Sequence, residues 1–290
     1  MTNILVTGSN GQLGSEIKEI SEKYPLFHFI FTDVEELDIT SFEATEKFIA
    51  DKNISFLINC AACTNVDRAE EQIEAAKLLN ADAVKNLALL SNQHQIVPIH
   101  ISTDYVFSGQ GYKPYTEDET TKPQSVYGST KLQGELMLQK HCPNHITIRT
   151  SWLYSPFGKN FLKTMLNLGK ERTELNVVVD QIGTPTYAYD LADCILQIIE
   201  KIKSNKDFKD FGTYHYSNEG VCSWFDFATE IQLIAKNKCT IHTTDSEEFS
   251  TLAKRPHFSV LNKSKIKNTF DLDIPHWRER IYHCIKRIKS

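Results

Sequence analysis

Apolar runs and helical patterns alternate along the first half of the chain. Continuous apolar runs of about four to eight residues are typical of strands buried on both faces of a sheet. Helical patterns separate these runs, and one of them, with apolar residues from Ala75 to Leu90, predicts a long helix over residues 67–91. The alternation predicts an α/β fold with a doubly wound parallel sheet. The runs that predict strands lie at residues 3–7, 27–32, 54–60, 96–101 and 145–149.

The pattern changes after residue 150. Short strands, loops and helices follow one another without regular alternation, and an amphipathic helix near residues 276–288 closes the chain. This half predicts a smaller mixed α/β domain that closes the substrate side of a cleft. We therefore expect a nucleotide-binding domain over residues 1–150, joined by parts of 175–205, and a discontinuous substrate domain over most of 151–290.

A glycine-rich turn follows the first predicted strand and opens the first predicted helix. The segment TGSNGQLG places Gly8, Gly11 and Gly14 at G-x-x-G-x-x-G spacing. Strand, glycine turn and helix in this order are the context of a Rossmann-type dinucleotide-binding fingerprint. Gly8 permits the tight turn, Gly11 lets the backbone approach a pyrophosphate, and Gly14 lets the helix pack closely on the sheet. A plain glycine-rich turn is the alternative, which the flanking elements disfavour.

Asp33 ends the second predicted strand, nineteen residues after Gly14. This spacing is close to the roughly 20 residues expected for the acid that hydrogen-bonds the adenosine ribose. A carboxylate here favours NADH over NADPH, and no Arg lies nearby in the sequence to hold a 2′-phosphate. Asp38 is a rival or additional polar contact. The choice between the two cofactors stays open.

Polar residues follow the fourth predicted strand. Ser102, Thr103 and Asp104 lie at its carboxyl end, where ligands bind in open α/β sheets. Thr103 is therefore well placed to donate a hydrogen bond to a substrate oxygen, although an isolated Thr is more often a cap or turn residue. The loop over residues 107–126 is rich in Gly, Pro and charge and is expected to border the site.

Tyr127 and Lys131 are four residues apart in SVYGSTKLQGEL and share one face of a predicted helix. A Tyr has a pKa near 10 and is a poor proton donor or acceptor at neutral pH. We expect a Lys ammonium on the same face to lower that pKa towards the working range. Alone, the spacing also fits a surface helix with a solvated Lys. Its occurrence together with the glycine turn, Asp33 and Thr103 predicts a hydride-transfer site.

Composition and charge argue against a nucleic-acid-binding or membrane-associated protein. The chain has 290 residues, of which 41% are hydrophobic and 24% charged, and its net charge of −5 comes without a basic block. We therefore expect binding neither to nucleic acid nor to a membrane surface. We see no signal peptide and no stretch of transmembrane length.

Seven scattered Cys residues predict free thiols in the cytoplasm. Cys60 and Cys63 form a C-x-x-C. A redox pair or half of a zinc site is conceivable there, but no second ligand pair completes four zinc ligands. The metal hypothesis is therefore disfavoured.

The order of these elements is that of the short-chain dehydrogenase/reductase superfamily, in its extended branch acting on nucleotide sugars. From about residue 4 to residue 262 the sequence also resembles the dTDP-4-dehydrorhamnose reductase family. The resemblance implies reduction of the 4-keto group of dTDP-6-deoxy-L-lyxo-4-hexulose to dTDP-L-rhamnose, with NADPH or NADH, for polysaccharide synthesis. The segments that carry it are TGSNGQLG, ELDIT, NCAACTNVDRAE, ISTDYVFSG, YGSTKLQGE, RTSWLY, DQIGTPTY and RPHFSVL.

The resemblance also implies roles for single residues. Tyr127 is the expected proton donor, and Lys131 is expected to hold the nicotinamide ribose and to tune Tyr127. Thr103 and Asp104 are expected to bind the sugar nucleotide. For the substrate, the resemblance also implies Trp152 beside the sugar and Arg255 at the nucleotide. For the cofactor, it implies Gly11, Gln12 and Leu13 at the pyrophosphate, and Ala61, Ala62 and Cys63 along its length. Asp38 and Ile39 are expected near the adenosine, with Asp33 as the further ribose candidate.

Two departures from the family and two rival functions stay open. Cys63 stands where the family often has His, which weakens any role for that side chain but leaves backbone contacts. Some members are associated with magnesium, but no carboxylate cluster locates a metal, so we predict no metal site. The rivals are an epimerase or dehydratase that recycles tightly held NAD, and a non-catalytic regulatory subunit of the methionine adenosyltransferase type. The C-terminal helix leaves open whether the chain is a homodimer.

Overall fold

The elements of the first half follow the alternation in the sequence. The computed structural model describes residues 2–248 and 251–289. Its strands are β1 (Thr2–Thr7), β2 (Phe27–Thr32), β3 (Ile54–Asn59), β4 (Val97–Thr103), β5 (Ile146–Thr150), β6 (Leu153–Tyr154), β7 (Glu174–Val178), β8 (Ile182–Gly183), β9 (Thr186–Tyr187), β10 (Gly212–His215), β11 (Cys222–Ser223) and β12 (Thr240–Thr244). Its α-helices are α1 (Gln12–Ile20), α2 (Phe42–Ala50), α3 (Val66–Glu71), α4 (Ile73–Lys77), α5 (Ala83–Gln93), α6 (Val126–His141), α7 (Phe161–Glu171), α8 (Ala188–Ser204), α9 (Trp224–Ala235), α10 (Ser264–Phe270) and α11 (Trp277–Lys289).

Six strands form one parallel sheet in the order β2-β1-β3-β4-β5-β10. Helices cover both faces of such a sheet, so its strands are mostly apolar. Ile4, Leu5 and Val6 of β1 are accordingly fully buried. The chain changes its direction of winding between β1 and β3, and ligands bind at the carboxyl ends of the strands at this point. The α/β fold of Rossmann type predicted from the sequence is confirmed.

The predicted continuous helix over residues 67–91 is wrong, because the helix is interrupted twice. Gln72 leaves the helical conformation, with φ −124° and ψ 58°, between α3 and α4. A π-helical turn over Leu78–Asp82 then joins α4 to α5. At this turn α6 comes so close that a Cβ on Gly134 would lie 2.2 Å from the carbonyl oxygen of Asn80. Tertiary packing therefore sets a backbone that helical periodicity alone does not reveal.

The second half of the chain contributes to two regions of the molecule. β10 extends the main sheet beside β5. Helix α8 packs on α1, and its Ile195 and Ile199 lie in the same hydrophobic cluster as Ile4 and Ile17 of the first half. Helices α7, α9 and α11 and the parallel pair β7–β12 surround a second cluster, with Phe227 fully buried in it. The sequence predicted neither the place of β10 in the sheet nor α10, because elements this short leave little pattern.

Candidate active site

The glycine turn after β1 forms a cradle that larger residues would fill. Gly8 has a φ of +65°, and a Cβ there would lie 2.6 Å from the backbone nitrogen of Ala61. A Cβ on Gly14 would lie 2.5 Å from the Cα of Ser9. Helix α1 begins after Gly11, and no side chain of the described residues caps this end. Open amides at the end of a helix and a close backbone fit the pyrophosphate of a dinucleotide.

Asp33 braces this turn from the end of β2. Its carboxylate accepts the backbone N–H of Asn10 and the backbone N–H of Val34, each at 2.9 Å. The predicted ribose acid therefore stands beside the glycine turn, and the same hydrogen bonds hold it in one orientation. Its contact with the ribose stays a prediction.

Asp38 and Ile39 do not line the cleft that contains Tyr127 and Lys131. One carboxylate oxygen of Asp38 accepts the N–H and the hydroxyl of Thr40, at 2.9 and 2.7 Å. Ile39 is buried in a hydrophobic cluster with Leu5 and Leu57. Their expected contacts with the adenosine end stay predictions.

A cleft of about 600 Å³ connects the glycine turn with the first turns of α6. Residues that the sequence did not single out also line it, among them Tyr105, Trp224 and Asn160. Asn160 donates a hydrogen bond to Oε1 of Gln12 at 2.9 Å, so the loop before α7 closes onto the glycine turn. The predicted residues that line the cleft are Gly11, Gln12, Leu13, Ala62, Thr103, Asp104, Tyr127, Lys131, Trp152 and Arg255.

Helix α6 directs Tyr127 and Lys131 into this cleft. Its first turn is capped by Ser125, whose hydroxyl oxygen accepts the N–H of Gly128 at 3.2 Å. Tyr127 is 9% exposed and Lys131 is 2% exposed, so neither belongs to a solvated helix face. The surface-helix alternative is therefore wrong, and the predicted shared face is confirmed by the cleft that both residues line.

Burial, and not Lys131, dominates the acidity of Tyr127. Burial raises the pKa of Tyr127 well above its ordinary value, and a hydrogen bond with Thr103 offsets this only in part. The expectation that Lys131 lowers this pKa into the working range is wrong for this structure. Tyr127 is consequently protonated at neutral pH, which is the state that a proton donor requires.

Lys131 lies one turn after Tyr127 on α6, and its amine is directed towards the sheet. Nζ donates to the carbonyl oxygen of Ile101 at 2.6 Å and lies 3.5 Å from Nε2 of His100. Burial lowers the pKa of Lys131 to about 8, although the nearby Glu135 and Cys60 act in the opposite direction. Lys131 can therefore both hold and release a proton near neutral pH.

Thr103 and Asp104 form a coupled pair at the end of β4. The hydroxyl of Thr103 donates to Oδ1 of Asp104 at 3.0 Å and accepts the N–H of Tyr105 at 3.2 Å. Burial raises the pKa of Asp104 to about 6, against the effect of its hydrogen bonds. Ser259 faces this carboxylate, yet Oδ2 of Asp104 has no hydrogen bond of normal geometry within the described part of the chain. This buried oxygen therefore retains the capacity to accept a hydrogen bond.

Trp152 adopts a backbone conformation that is rare for a large side chain. Its φ of 48° lies in the left-handed region, which costs about 1–3 kcal/mol unless the surroundings enforce it. The indole is stacked on that of Trp224, with ring centroids 3.6 Å apart. The pair forms one aromatic wall of the cleft. Sequence reasoning missed Trp224, whose only signal was its place at the start of a helical pattern.

Arg255 reaches the cleft through an ion pair with α3. Its Nη2 donates to Oδ2 of Asp67 at 2.7 Å, and Oδ1 of Asp67 accepts the N–H of Ala253 at 3.0 Å. Both side chains of the ion pair are partly exposed, so the pair is weak. A ligand phosphate can therefore compete for the guanidinium. Nothing in the sequence indicated Asp67 as its partner.

The segment Ala61-Ala62-Cys63 is held by its backbone. Asn80 in the π-helical turn accepts the N–H of Cys63 at 2.8 Å and donates to the carbonyl oxygen of Cys63 at 3.1 Å. The N–H of Ala61 donates to Oδ1 of Asn59 at 3.2 Å. The residues on both sides of Ala62 are therefore anchored by backbone hydrogen bonds that do not involve the Cys63 side chain.

Comparison with known proteins identifies the family. A family model described as the RmlD substrate binding domain matches residues 1–290. The chain belongs to this family. One relative of the RmlD family, named dTDP-4-dehydrorhamnose reductase, comes from Aggregatibacter actinomycetemcomitans. It is 37% identical over 287 residues, which cover 97% of each of the two chains.

Solved structures of the same family share the fold over the whole chain. A dTDP-4-dehydrorhamnose reductase from Clostridium acetobutylicum is 41% identical, with a TM-score of 0.93 and 100% of both chains covered. One from Bacillus anthracis, solved in complex with NADP, is 36% identical, with a TM-score of 0.93, and covers 99% of this chain and 100% of its own. The family resemblance stated from the sequence is confirmed.

The sequence also raised a Cys60–Cys63 redox pair, a metal site and a membrane-spanning helix as questions for this RmlD-family chain. Cys60 and Cys63 are both free thiols. Within residues 2–248 and 251–289, no group of three or more His, Cys, Asp or Glu side chains is arranged to hold a metal ion. None of the described helices is long and apolar enough to cross a bilayer.

Proposed function

We propose that this chain reduces the 4-keto group of dTDP-4-dehydro-L-rhamnose to dTDP-L-rhamnose with NADPH or NADH. The observation that carries the proposal is the meeting of Tyr127, Thr103 and Lys131 in a cleft that starts at the glycine turn. Relatives that share the family over their full length bear the name of this reductase, which supports a dTDP-sugar as the substrate.

The reaction needs a hydride on the keto carbon and a proton on its oxygen. When bound, the reduced nicotinamide supplies the hydride. Tyr127 donates its phenolic proton to the oxygen as negative charge builds there, and the hydroxyl of Thr103 stabilises that charge by a hydrogen bond. Lys131 holds the nicotinamide ribose and returns a proton to Tyr127 after Tyr127 has given up its own. The raised pKa of Tyr127 keeps this proton in place until the oxygen becomes basic.

The sugar nucleotide meets groups from both halves of the chain. Oδ2 of Asp104 accepts a sugar hydroxyl, and Trp152 flanks the sugar ring. Arg255 exchanges Asp67 for the diphosphate. We accordingly assign cofactor binding mainly to residues 1–150 with parts of 175–205, and substrate binding mainly to the remainder.

An absorbance assay at the nicotinamide band tests this function. Purified chain is mixed with dTDP-4-keto-6-deoxy sugar and either NADH or NADPH, and the product sugar is identified by NMR. We expect one nicotinamide to be oxidised for each dTDP-L-rhamnose formed. Turnover of the sugar without net oxidation would instead indicate an epimerase or dehydratase, and no turnover of any 4-keto sugar nucleotide would favour a regulatory subunit.

We further propose that the enzyme works in the cytoplasm, which the seven free Cys residues support because a reducing compartment keeps thiols free. A homodimer is the oligomeric state proposed. Light scattering of the purified chain tests it, and a monomeric mass at working concentration would contradict it. We propose no nucleic-acid partner.

A further inference from the structure

A buried row of polar groups leads from β1 to the amine of Lys131. The hydroxyl of Thr7 donates to Oδ1 of Asn59 at 2.7 Å. Nδ2 of Asn59 lies 3.1 Å from Nδ1 of His100, and Nε2 of His100 lies 3.5 Å from Nζ of Lys131. None of the four residues is more than 2% exposed. Three neighbouring strands and α6 contribute one group each, so the sheet itself sets this arrangement.

Two donors determine the direction of the hydrogen bonds in this row. Oδ1 of Asn59 accepts both the hydroxyl of Thr7 and the N–H of Ala61, so the amide nitrogen of Asn59, which only donates, faces His100. Nδ1 of His100 must therefore accept. Burial first, and then the charge of Lys131, lowers the pKa of His100 well below its usual range, so the ring is neutral. A neutral ring with an accepting Nδ1 carries its proton on Nε2, opposite Lys131.

We propose that His100 is a positioning residue whose Nε2–H disfavours the charged form of Lys131. An ammonium has no acceptor for this N–H, whereas an uncharged amine accepts it. The inference rests on the proposed function, because it concerns how readily Lys131 gives up the proton that the proposed mechanism returns to Tyr127. The same row of hydrogen bonds connects Lys131 with Ala61, which is expected to lie along the cofactor. The N–H of Ala61 orients the Asn59 amide, and this amide in turn sets the tautomer of the His100 ring.

Other charges around Lys131 act independently of this ring. Glu135 on α6 and Cys60 after β3 favour the ammonium. Glu135 is itself paired with Arg149 of β5 at 2.7 Å, which reduces its pull on Lys131. On β4, the tautomer of His100 decides whether Nε2 faces the Lys131 amine as a hydrogen-bond donor or as an acceptor. His145 also acts on His100 through its charge, but its own Nδ1 is engaged with the carbonyl oxygen of Cys142 at 2.7 Å.

The tautomer can be observed directly by nitrogen NMR of the full chain labelled at histidine. His100→Gln assigns the resonances of this ring among the ten histidines. We expect an unprotonated Nδ1 and a protonated Nε2 throughout the neutral pH range. A protonated Nδ1, or a charged ring, in the unmodified chain would overturn the proposal. The variant serves only to assign the resonances.

Asn59→Asp reverses the tautomer. A carboxylate at this position accepts from Nδ1–H, so Nε2 presents its lone pair to Lys131. We expect the pKa of Lys131, followed by NMR of labelled lysine side chains and assigned with Lys131→Met, to rise by about one unit or more, which is about tenfold in proton affinity. The added charge alone also raises this pKa, so the double variant Asn59→Asp/His100→Gln is needed to separate the two effects.

The double variant shows whether the pKa of Lys131 rises because of the His100 tautomer or because of the added negative charge. Most of the rise should disappear when His100 is absent, and an equal rise with and without His100 would overturn the proposal. His145→Gln is the matched control, because it removes a neighbouring buried histidine that does not face Lys131, and it should leave this pKa unchanged. These measurements need no sugar, so failure of the proposed reductase function would appear separately, in the absorbance assay.

Discussion

The indole rings of Trp152 and Trp224 lie face to face, with their centroids 3.6 Å apart and their planes within 8° of parallel. Trp224 is the first residue of α9, and Phe161 of α7 packs against it with 4.5 Å between ring centroids. The stack thus ties the segment after β5 to two helices of the second half. It holds the proposed sugar-flanking ring in place although its backbone is strained.

Trp224→Ala should weaken sugar binding and leave cofactor binding intact. An aromatic pair contributes about 0.5–1.5 kcal/mol beyond the area it buries, so we expect KM for the sugar nucleotide to rise about threefold to tenfold. Steady-state kinetics measures KM, and fluorescence titration measures the Kd for NADH. Trp224→Phe keeps an aromatic partner and is the matched control. An unchanged KM in the alanine variant would show that Trp152 does not need this partner.

Tyr127→Phe removes the proposed proton donor. We expect kcat to fall by about 100-fold or more, because general acid catalysis by a positioned side chain contributes at least this much. The Kd for NADH should not change. Tyr105→Phe is the control, since its ring meets that of Tyr127 edge to face at 5.5 Å in the same cleft. Similar kcat values for Tyr127→Phe and the unmodified chain would refute the assignment.

Asp104→Asn should stabilise the chain while impairing sugar binding. The pKa of Asp104 is raised from 3.8 to about 6 in the folded state, so the fold binds its proton more tightly than the unfolded chain does. This group therefore lowers the free energy of unfolding as pH rises from about 4 to about 6, by up to about 3 kcal/mol in all. Thermal unfolding across this pH range checks the loss of that dependence in Asp104→Asn. A variant that is less stable than the unmodified chain at pH 7 would contradict it.

Arg255→Gln should raise KM for the sugar nucleotide at least about tenfold, since a charge-assisted hydrogen bond contributes about 1.5–3 kcal/mol. Its ion pair with Asp67 is partly exposed, so the folded chain should lose little stability. Lys254→Gln removes the neighbouring charge and is the matched control. Equal KM values for the two variants would mean that bulk charge, and not Arg255, attracts the diphosphate.

The sequence could predict those parts of the site that depend on one element or on a general rule of sheets. Gly8, Gly11 and Gly14 belong to a single turn, and Tyr127 and Lys131 to a single helix. Thr103 followed from its place at the carboxyl end of a parallel strand. The glycine turn and the Tyr127–Lys131 pair have fixed spacings that can be read directly from the sequence, and Thr103 directly follows an apolar run that predicts a strand.

The rest depends on packing between distant segments. Trp224, Asp67 and Asn80 touch predicted site residues only because α9, α3 and the π-helical turn pack where they do. No periodicity encodes these contacts. The pKa of Tyr127 was misjudged for the same reason, because burial depends on the whole fold whereas the spacing to Lys131 does not.

The central claim is that a hydride passes from nicotinamide to the sugar 4-carbon while Tyr127 supplies the proton. The most direct measurement uses NADH carrying deuterium at the transferred position and locates the label in the product by NMR. The account predicts deuterium at C4 of dTDP-L-rhamnose, and about 100-fold slower labelling with Tyr127→Phe. Product sugar without deuterium, or with deuterium at another carbon, would contradict it.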